Sequence, residues 1–253
     1  MPLPTLTILL FGPPSVLVNR QPITHFHSQR VAALLFLLAA AEEPQPRTML
    51  AARLWDGVEP GQAKANLSKG LYYLPDAVKP FVTLNRTTVA LHLPTPAAVD
   101  VCAFTQLQHS AVTPAPHPAA RITCLTQAAD LYRGEFLQGF CIEGATCFGE
   151  WVAAERQRYC HLAVKTHGEL FAYHVGRRAH LQAIRHATAL LALDRTDEAT
   201  YRHLIQLLLQ LGQVDAAAVV YRTCCQALQE THGAAPSAET VALAEQFHLT
   251  PSG

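Results

Sequence analysis

Between Gln62 and Leu74 the chain reads Gln-Ala-Lys-Ala-Asn-Leu-Ser-Lys-Gly-Leu-Tyr-Tyr-Leu. Ala63, Leu67, Leu71 and Leu74 recur at i, i+4, i+8 and i+11, which makes one apolar stripe of a helix, while Lys64, Asn66, Ser68 and Lys69 fall beside or opposite it. Short polar and basic side chains on the front of a helix with a buried back suit a DNA major groove, because Asn and Lys reach base edges and phosphates at close range. A plain solvated helix face shows the same front, so this stretch alone supports both readings.

Other chemistries find less support. No Gly-x-Ser-x-Gly, no His-Glu-x-x-His, no phosphate-cradling Gly loop and no compact carboxylate group occurs, so neither an enzyme nor a cofactor is expected. The seven cysteines lie at 102, 124, 141, 147, 160, 224 and 225, an odd number without a C-x-x-C pair. Cys141, Cys147, Cys160, His161 and His167 match no standard ligand spacing, so free reduced thiols in a reducing compartment are expected in place of a metal site. Of the thirteen histidines, His161, His174, His180, His186 and His203 are expected on solvated helix faces.

Composition bounds the class. With 253 residues, half of them apolar, the chain can bury cores in two modest domains. Its longest apolar run, Val31 to Ala41, falls far short of the ~20 residues that cross a bilayer, and the N-terminus lacks the marks of a signal peptide, so a cytoplasmic protein is expected, with neither a membrane partner nor an evident small-molecule substrate. The formal charge of zero divides unevenly: residues 1–93 carry eight Lys/Arg against five Asp/Glu, and residues 94–253 carry eleven against fourteen. A surplus of three positive charges on the segment with the candidate helix permits nucleic-acid binding without demanding it.

The surrounding elements are legible from periodicity and turn residues. Thr5–Phe11, Ser15–Val18 and Gln21–Ile23 read as three short strands, the first stopped at Gly12-Pro13-Pro14. From Gln29 to Ala41 the pattern is helical and almost wholly apolar, a core helix. Glu42-Glu43-Pro44-Gln45-Pro46 breaks it, and Arg47–Trp55 is a second, shorter helix ahead of the one at 62–74. Helix, short helix, turn, helix is the helix-turn-helix order. Phe81–Leu84 and Thr88–Leu93 then form a hairpin, a wing with Arg86 at its tip.

Pro94 to Val99 has the composition of a linker, and Val112 to Pro118 is a second Pro-rich loop. Between and beyond them helices are expected at 100–111, 119–133, 147–175, 178–193, 198–211, 214–230 and 238–248, joined by short turns that favour antiparallel pairs. Gly176 and Gly212 stand 36 residues apart, close to the tetratricopeptide period of about 34. Stacked helix hairpins of this kind either present a concave partner-binding surface or form a helical core. The expected fold is mainly α: an α+β winged helix-turn-helix over 1–94, then an all-α tetratricopeptide-like domain over 99–250.

Seven short stretches in order make the chain resemble the SARP-type bacterial transcriptional activators, which join a winged helix-turn-helix to a bacterial transcriptional activation domain. They are Ile8-Leu-Leu-Phe-Gly12, Ser28-Gln-Arg-Val-Ala-Ala-Leu-Leu35, Leu50-Ala-Ala-Arg-Leu-Trp55, Ala65-Asn-Leu-Ser-Lys-Gly-Leu-Tyr72, Leu131-Tyr-Arg-Gly-Glu-Phe-Leu-Gln-Gly-Phe140, Glu150-Trp-Val-Ala-Ala-Glu-Arg156 and Pro236-Ser-Ala-Glu-Thr240. The resemblance implies an activator that docks its third helix in the major groove of double-stranded DNA and uses the helical domain for homodimer contacts and for recruiting RNA polymerase. By the same resemblance Lys64, Asn66, Ser68 and Lys69 would face the groove, and Arg30, Arg47 and Arg86 would hold phosphates.

Departures from the family pattern keep a second reading open. After Leu71-Tyr72 the family usually stays basic, whereas here Tyr73-Leu74-Pro75-Asp76 follows, and Gly70 costs ~1 kcal/mol relative to Ala inside a helix. Each missing phosphate contact weakens the salt-dependent part of DNA affinity. The alternative is a non-enzymatic protein-interaction module whose winged domain no longer binds DNA, the N-terminal part of a larger signalling protein.

Overall fold

The computed structural model describes residues 5–93, 95–112 and 117–249. Pro94, the middle of the second Pro-rich loop and residue 250 lie outside the described residues. Three strands open the chain: β1 (Leu6–Leu9), β2 (Ser15–Val18) and β3 (Gln21–Pro22), antiparallel in that order with Ile8 opposite Val16. Gly12 turns the chain after β1 with φ +81°, a conformation that costs glycine little.

The winged part is centred on α1 (Gln29–Ala40), whose residues Val31 to Ala39 are all buried. Ser28 caps it, its side chain accepting from the Val31 N–H. Then come β4 (Gln45–Pro46), α2 (Arg47–Leu54), α3 (Pro60–Tyr72), β5 (Val82–Leu84) and β6 (Thr88–Leu91). The second sheet has the order β4-β6-β5, all antiparallel, with Gln45 opposite Val89. The stretch expected only to break the core helix thus supplies a strand. Two residues at the sheet's edge tolerate prolines that a central strand would reject, which is why its composition reads as a loop. The third helix starts at Pro60 rather than Gln62, since proline suits the first helical turn.

Gly70 has a local reason. A Cβ there would meet the Trp55 ring at 3.2 Å and Leu34 at 3.6 Å, so the missing side chain lets α3 close on the core. Ala63, Leu67, Leu71 and Leu74 form its buried stripe, each 5% exposed or less.

Three helices follow: α4 (Asp100–Val112), α5 (Pro118–Leu131) and α6 (Thr146–Gly176). The segment with linker composition carries a 3-10 turn at Pro96–Ala98, and Val99, 1% exposed, bridges to Ile8. The buried Asp100 carboxylate accepts from the Leu10 and Phe11 N–H groups at 2.8 and 3.0 Å and pairs with Arg133 at 3.0 Å. Burial pushes its carboxyl pKa up, against the opposing pull of those N–H groups and of Arg133. Leu137 N–H donates to Leu10 O and Gly12 N–H to Glu135 O.

Around this seam Phe11, Phe104, Phe136 and Tyr159 pack ring on ring with centroids 5.1–6.1 Å apart. Burying each such ring contributes about 1.5–3 kcal/mol. Arg156 donates to the Phe136 and Leu137 carbonyls, both at 2.8 Å, and Trp151 packs on Phe136. Residues 1–160 accordingly form one compact unit and 161–253 a second, with the division inside α6.

The second unit holds the rest of α6 with α7 (His180–Leu193), α8 (Glu198–Gln210), α9 (Val214–His232) and α10 (Ala238–Gln246). Ala187, Leu204, Ile205, Leu208, Ala217, Tyr221 and Ala244 make its core, with Phe171 of α6 against it. Gly212, at φ +72°, turns α8 into α9. One histidine expectation is overturned here. His186 is 3% exposed, its Nδ1 lies 3.0 Å from Nδ1 of the buried His167, and half-buried His174 stacks on it. A histidine at an a- or d-like position of a hairpin goes inward with its neighbours, whatever its polarity, when a second ring nitrogen satisfies it.

Candidate nucleic-acid interface

Viewed down α3, the outward row is Gly61, Ala65, Ser68 and Tyr72, at i, i+4, i+7 and i+11 and all exposed. Lys64 flanks this row on one side and Lys69 with Gln62 on the other, and all three are exposed. Asn66 lies nearer the buried stripe, half-buried, its Oδ1 accepting from Gln62 Nε2 at 2.9 Å. Gly61 and Ala65 keep the row's first turns low, so a flat surface can approach the backbone, while Tyr72, 72% exposed, stands at the far end.

Cations surround the row. Ser68 Oγ donates to the Lys64 carbonyl at 3.0 Å and accepts from Arg47 Nη2 at 3.3 Å, which brings the half-buried Arg47 at the start of α2 against α3. The Arg47 N–H donates to Thr87 O at 2.8 Å, tying α2 to the wing. Arg86 is exposed at the wing's turn, where Asn85 N–H donates to Thr88 O. A groove of about 370 Å3 runs between α3 and the wing, bordered by Arg47, Ser68, Tyr72, Lys79 and Leu84. Lys79 sits 5.3 Å from the Tyr72 ring centroid and pairs with Asp76 at 2.7 Å.

Arg30 is placed differently from the other cations. Its Nε donates to Leu54 O and its Nη2 to Glu143 O and Gly144 O, each at 3.1 Å. The guanidinium bridges α2 to the loop before α6. Sequence reasoning missed Gln62, Ala65, Tyr72 and Lys79. The first three could have been found by counting opposite the buried stripe. Lys79 could not, since only the fold brings it to Tyr72.

Among the described residues no group of three or more His, Cys, Asp or Glu side chains is arranged to hold a metal ion, and no helix is long and apolar enough to cross a membrane.

The fold is a winged helix-turn-helix followed by stacked helix hairpins. The family profile described as the bacterial transcriptional activator domain matches residues 99–247. The chain therefore belongs to that family, which is one of transcriptional activators rather than a class of enzymes. Among solved structures, the chain is similar to "Mycobacterium tuberculosis EmbR in complex with low affinity phosphopeptide", with a TM-score of 0.63 and 17% identity over 97% of this chain and 65% of that one. The chain thus spans about two thirds of that protein's length, and the likeness is one of fold. No curated protein matches the sequence.

Proposed function

We propose that the chain is a DNA-binding transcriptional activator of the cytoplasm that lays α3 in the major groove. The observation that carries this is the low outward row of α3, Gly61, Ala65 and Ser68, flanked by Lys64 and Lys69, with Arg47 and the wing's Arg86 placed to reach phosphates on either side. Small residues admit the duplex and the cations anchor it. Ser68 offers a hydrogen bond to a base edge after releasing Arg47 or the Lys64 carbonyl, and Asn66, at the side of the row toward the buried stripe, does so after releasing Gln62. Arg30 positions α2 through its carbonyl contacts and leaves phosphate contact to the others.

Residues 1–94 read DNA in this scheme, and residues 99–250 supply the homodimer and RNA polymerase contacts. The test is fluorescence anisotropy of the purified chain on mixed duplex DNA at about 50 and 200 mM salt. Binding that weakens steeply with salt supports the reading. Salt-insensitive binding, or none at 50 mM under conditions where the chain is dimeric, overturns it.

A second reading, an interaction module whose winged domain no longer binds DNA, draws on one observation. Tyr72 and Leu84 expose apolar surface at the α3–wing groove, 72% and 55% exposed. Such a patch suits a protein partner.

A further inference from the structure

A cavity of about 390 Å3 lies in the first compact unit where α1 ends, β6 ends and α4 begins. Its walls are apolar: Leu38 and Ala39 from the last turn of α1, Leu91 and Leu93 from the β6 segment, and Val99 ahead of α4. Cys102, Gln106 and His109 come in from α4 at i, i+4 and i+7, one face of that helix. Its volume falls in the range of small-molecule sites, which are mostly apolar with a few placed polar groups.

Negative charge prevails at the lining, although His109 also lines it and Arg158 acts on Cys102 against Glu42 and Asp100. Glu42 lines the cavity, and neither Lys nor Arg does. The α1 helix ends at this spot with no basic residue in its last turn, so the negative end of its dipole is not offset locally. Cys102 Sγ donates to the Ala39 carbonyl at 3.3 Å, which satisfies one of the carbonyls at this helix end. Burial, then the nearby Glu42 and Asp100 charges, push the Cys102 thiol up to about 11 against the opposing pull of Arg158, so it adds no charge of its own at neutral pH. A carboxylate together with a helix C-terminus at the rim of an apolar cavity favours a cation attached to an apolar body.

We infer that this cavity is an effector site for a small organic cation, a protonated amine on a body of one or two rings, with Glu42 holding the ammonium and Leu38, Leu91 and Val99 enclosing the rings. The inference goes beyond DNA binding and does not depend on it. One wall belongs to β6 of the wing and another to α1, so a bound ligand touches both.

The test uses three probes of one body and three charges, naphthylethylamine, naphthylethanol and naphthylacetate, titrated calorimetrically into the full chain without DNA. The expected order is amine tightest, then alcohol, then acetate, with the amine about ten-fold tighter than the alcohol. Glu42→Gln, an exposed position, should bring the amine to the alcohol's affinity and leave the alcohol unchanged. Gln106→Trp should weaken all three by filling the cavity from the exposed side of α4, its fold checked by circular dichroism. Acetate binding as tightly as the amine, undiminished amine binding in folded Gln106→Trp, or no binding of any probe at millimolar concentration overturns the inference. Because no duplex is present, none of these outcomes touches the reading of α3.

Discussion

Lys64 and Lys69 flank a row on α3 that offers no charge of its own. If that row meets DNA, each lysine neutralises about one phosphate, and changing both to Ala should lower the salt slope of binding by about 2 while weakening all sequences alike. Anisotropy titrations at several salt concentrations measure this, and an unaltered slope would remove both residues from the interface. Arg30→Ala should behave in the opposite way. Its guanidinium donates to three carbonyls, and removing hydrogen bonds from a charged donor costs about 2 kcal/mol, read as a lower midpoint in urea. The salt slope should stay as in the parent chain. Two arginines that look alike in the sequence, Arg30 and Arg47, thus separate by what their side chains touch.

At the scale of elements, hydrogen bonds from buried side chains decide which helix grips which strand. Asp100 satisfies two N–H groups at the end of β1. Asp100→Ala leaves them buried without an acceptor and strands Arg133, so thermal or urea unfolding should show a loss of about 3 kcal/mol, the half-exposed Arg133 contributing least. In the second unit the stretch Pro236-Ser-Ala-Glu-Thr240 has a similar task. Ser237 N–H, Ser237 Oγ and Thr240 Oγ1 all donate to Glu198 Oε2, at 2.9, 2.7 and 2.6 Å.

Burial pushes the Glu198 carboxyl up, but these hydrogen bonds and the neighbouring Arg202 outweigh it and hold the pKa below its ordinary 4.5. A carboxylate with a lowered folded-state pKa stabilises the fold above its unfolded value. That contribution is complete above pH 4.5 and is lost as the pH falls through the lowered value. Glu198→Gln should therefore flatten the acid limb of stability against pH and cost about 1 kcal/mol at neutral pH, discounted because Glu198 is only half-buried. Hydrogen exchange of α10 amides follows it. An unchanged acid limb would show that α10 is held by Ala244 and Leu249 packing alone.

For the whole molecule, the packing boundary falls inside α6, at 160/161, whereas the family profile begins at 99. Phe104, Phe136 and Tyr159, all 2% exposed or less, enclose Phe11 just after β1, and Asp100 accepts from the Leu10 and Phe11 N–H groups there. A fragment of residues 1–94 lacks all four, so it should melt without cooperativity and bind hydrophobic dye. A fragment of residues 1–176 keeps them and should show one sharp transition. Calorimetry of the two fragments distinguishes the cases, and a cooperative 1–94 would show that the ring cluster is dispensable.

Much of this was legible in the chain itself. Local signals act over a few residues, so the helix order, the wing around Asn85-Arg86-Thr87, the buried stripe of α3 and the hairpin turn at Gly212 follow from periodicity and turn chemistry. The family follows from seven motifs in order. Tertiary structure alone decided what those motifs are for. Gly134 has its place because a Cβ there would meet the Gly12 backbone at 3.2 Å, Arg156 reaches carbonyls about twenty residues away, and Arg30 bridges to Glu143. It also turned His186 inward, made a strand of Gln45–Pro46 and enclosed the cavity beside Glu42. The physical reason is common to all of these. A side chain's partner across 90 or 113 residues is chosen by which surfaces close on each other, and no window of sequence contains both.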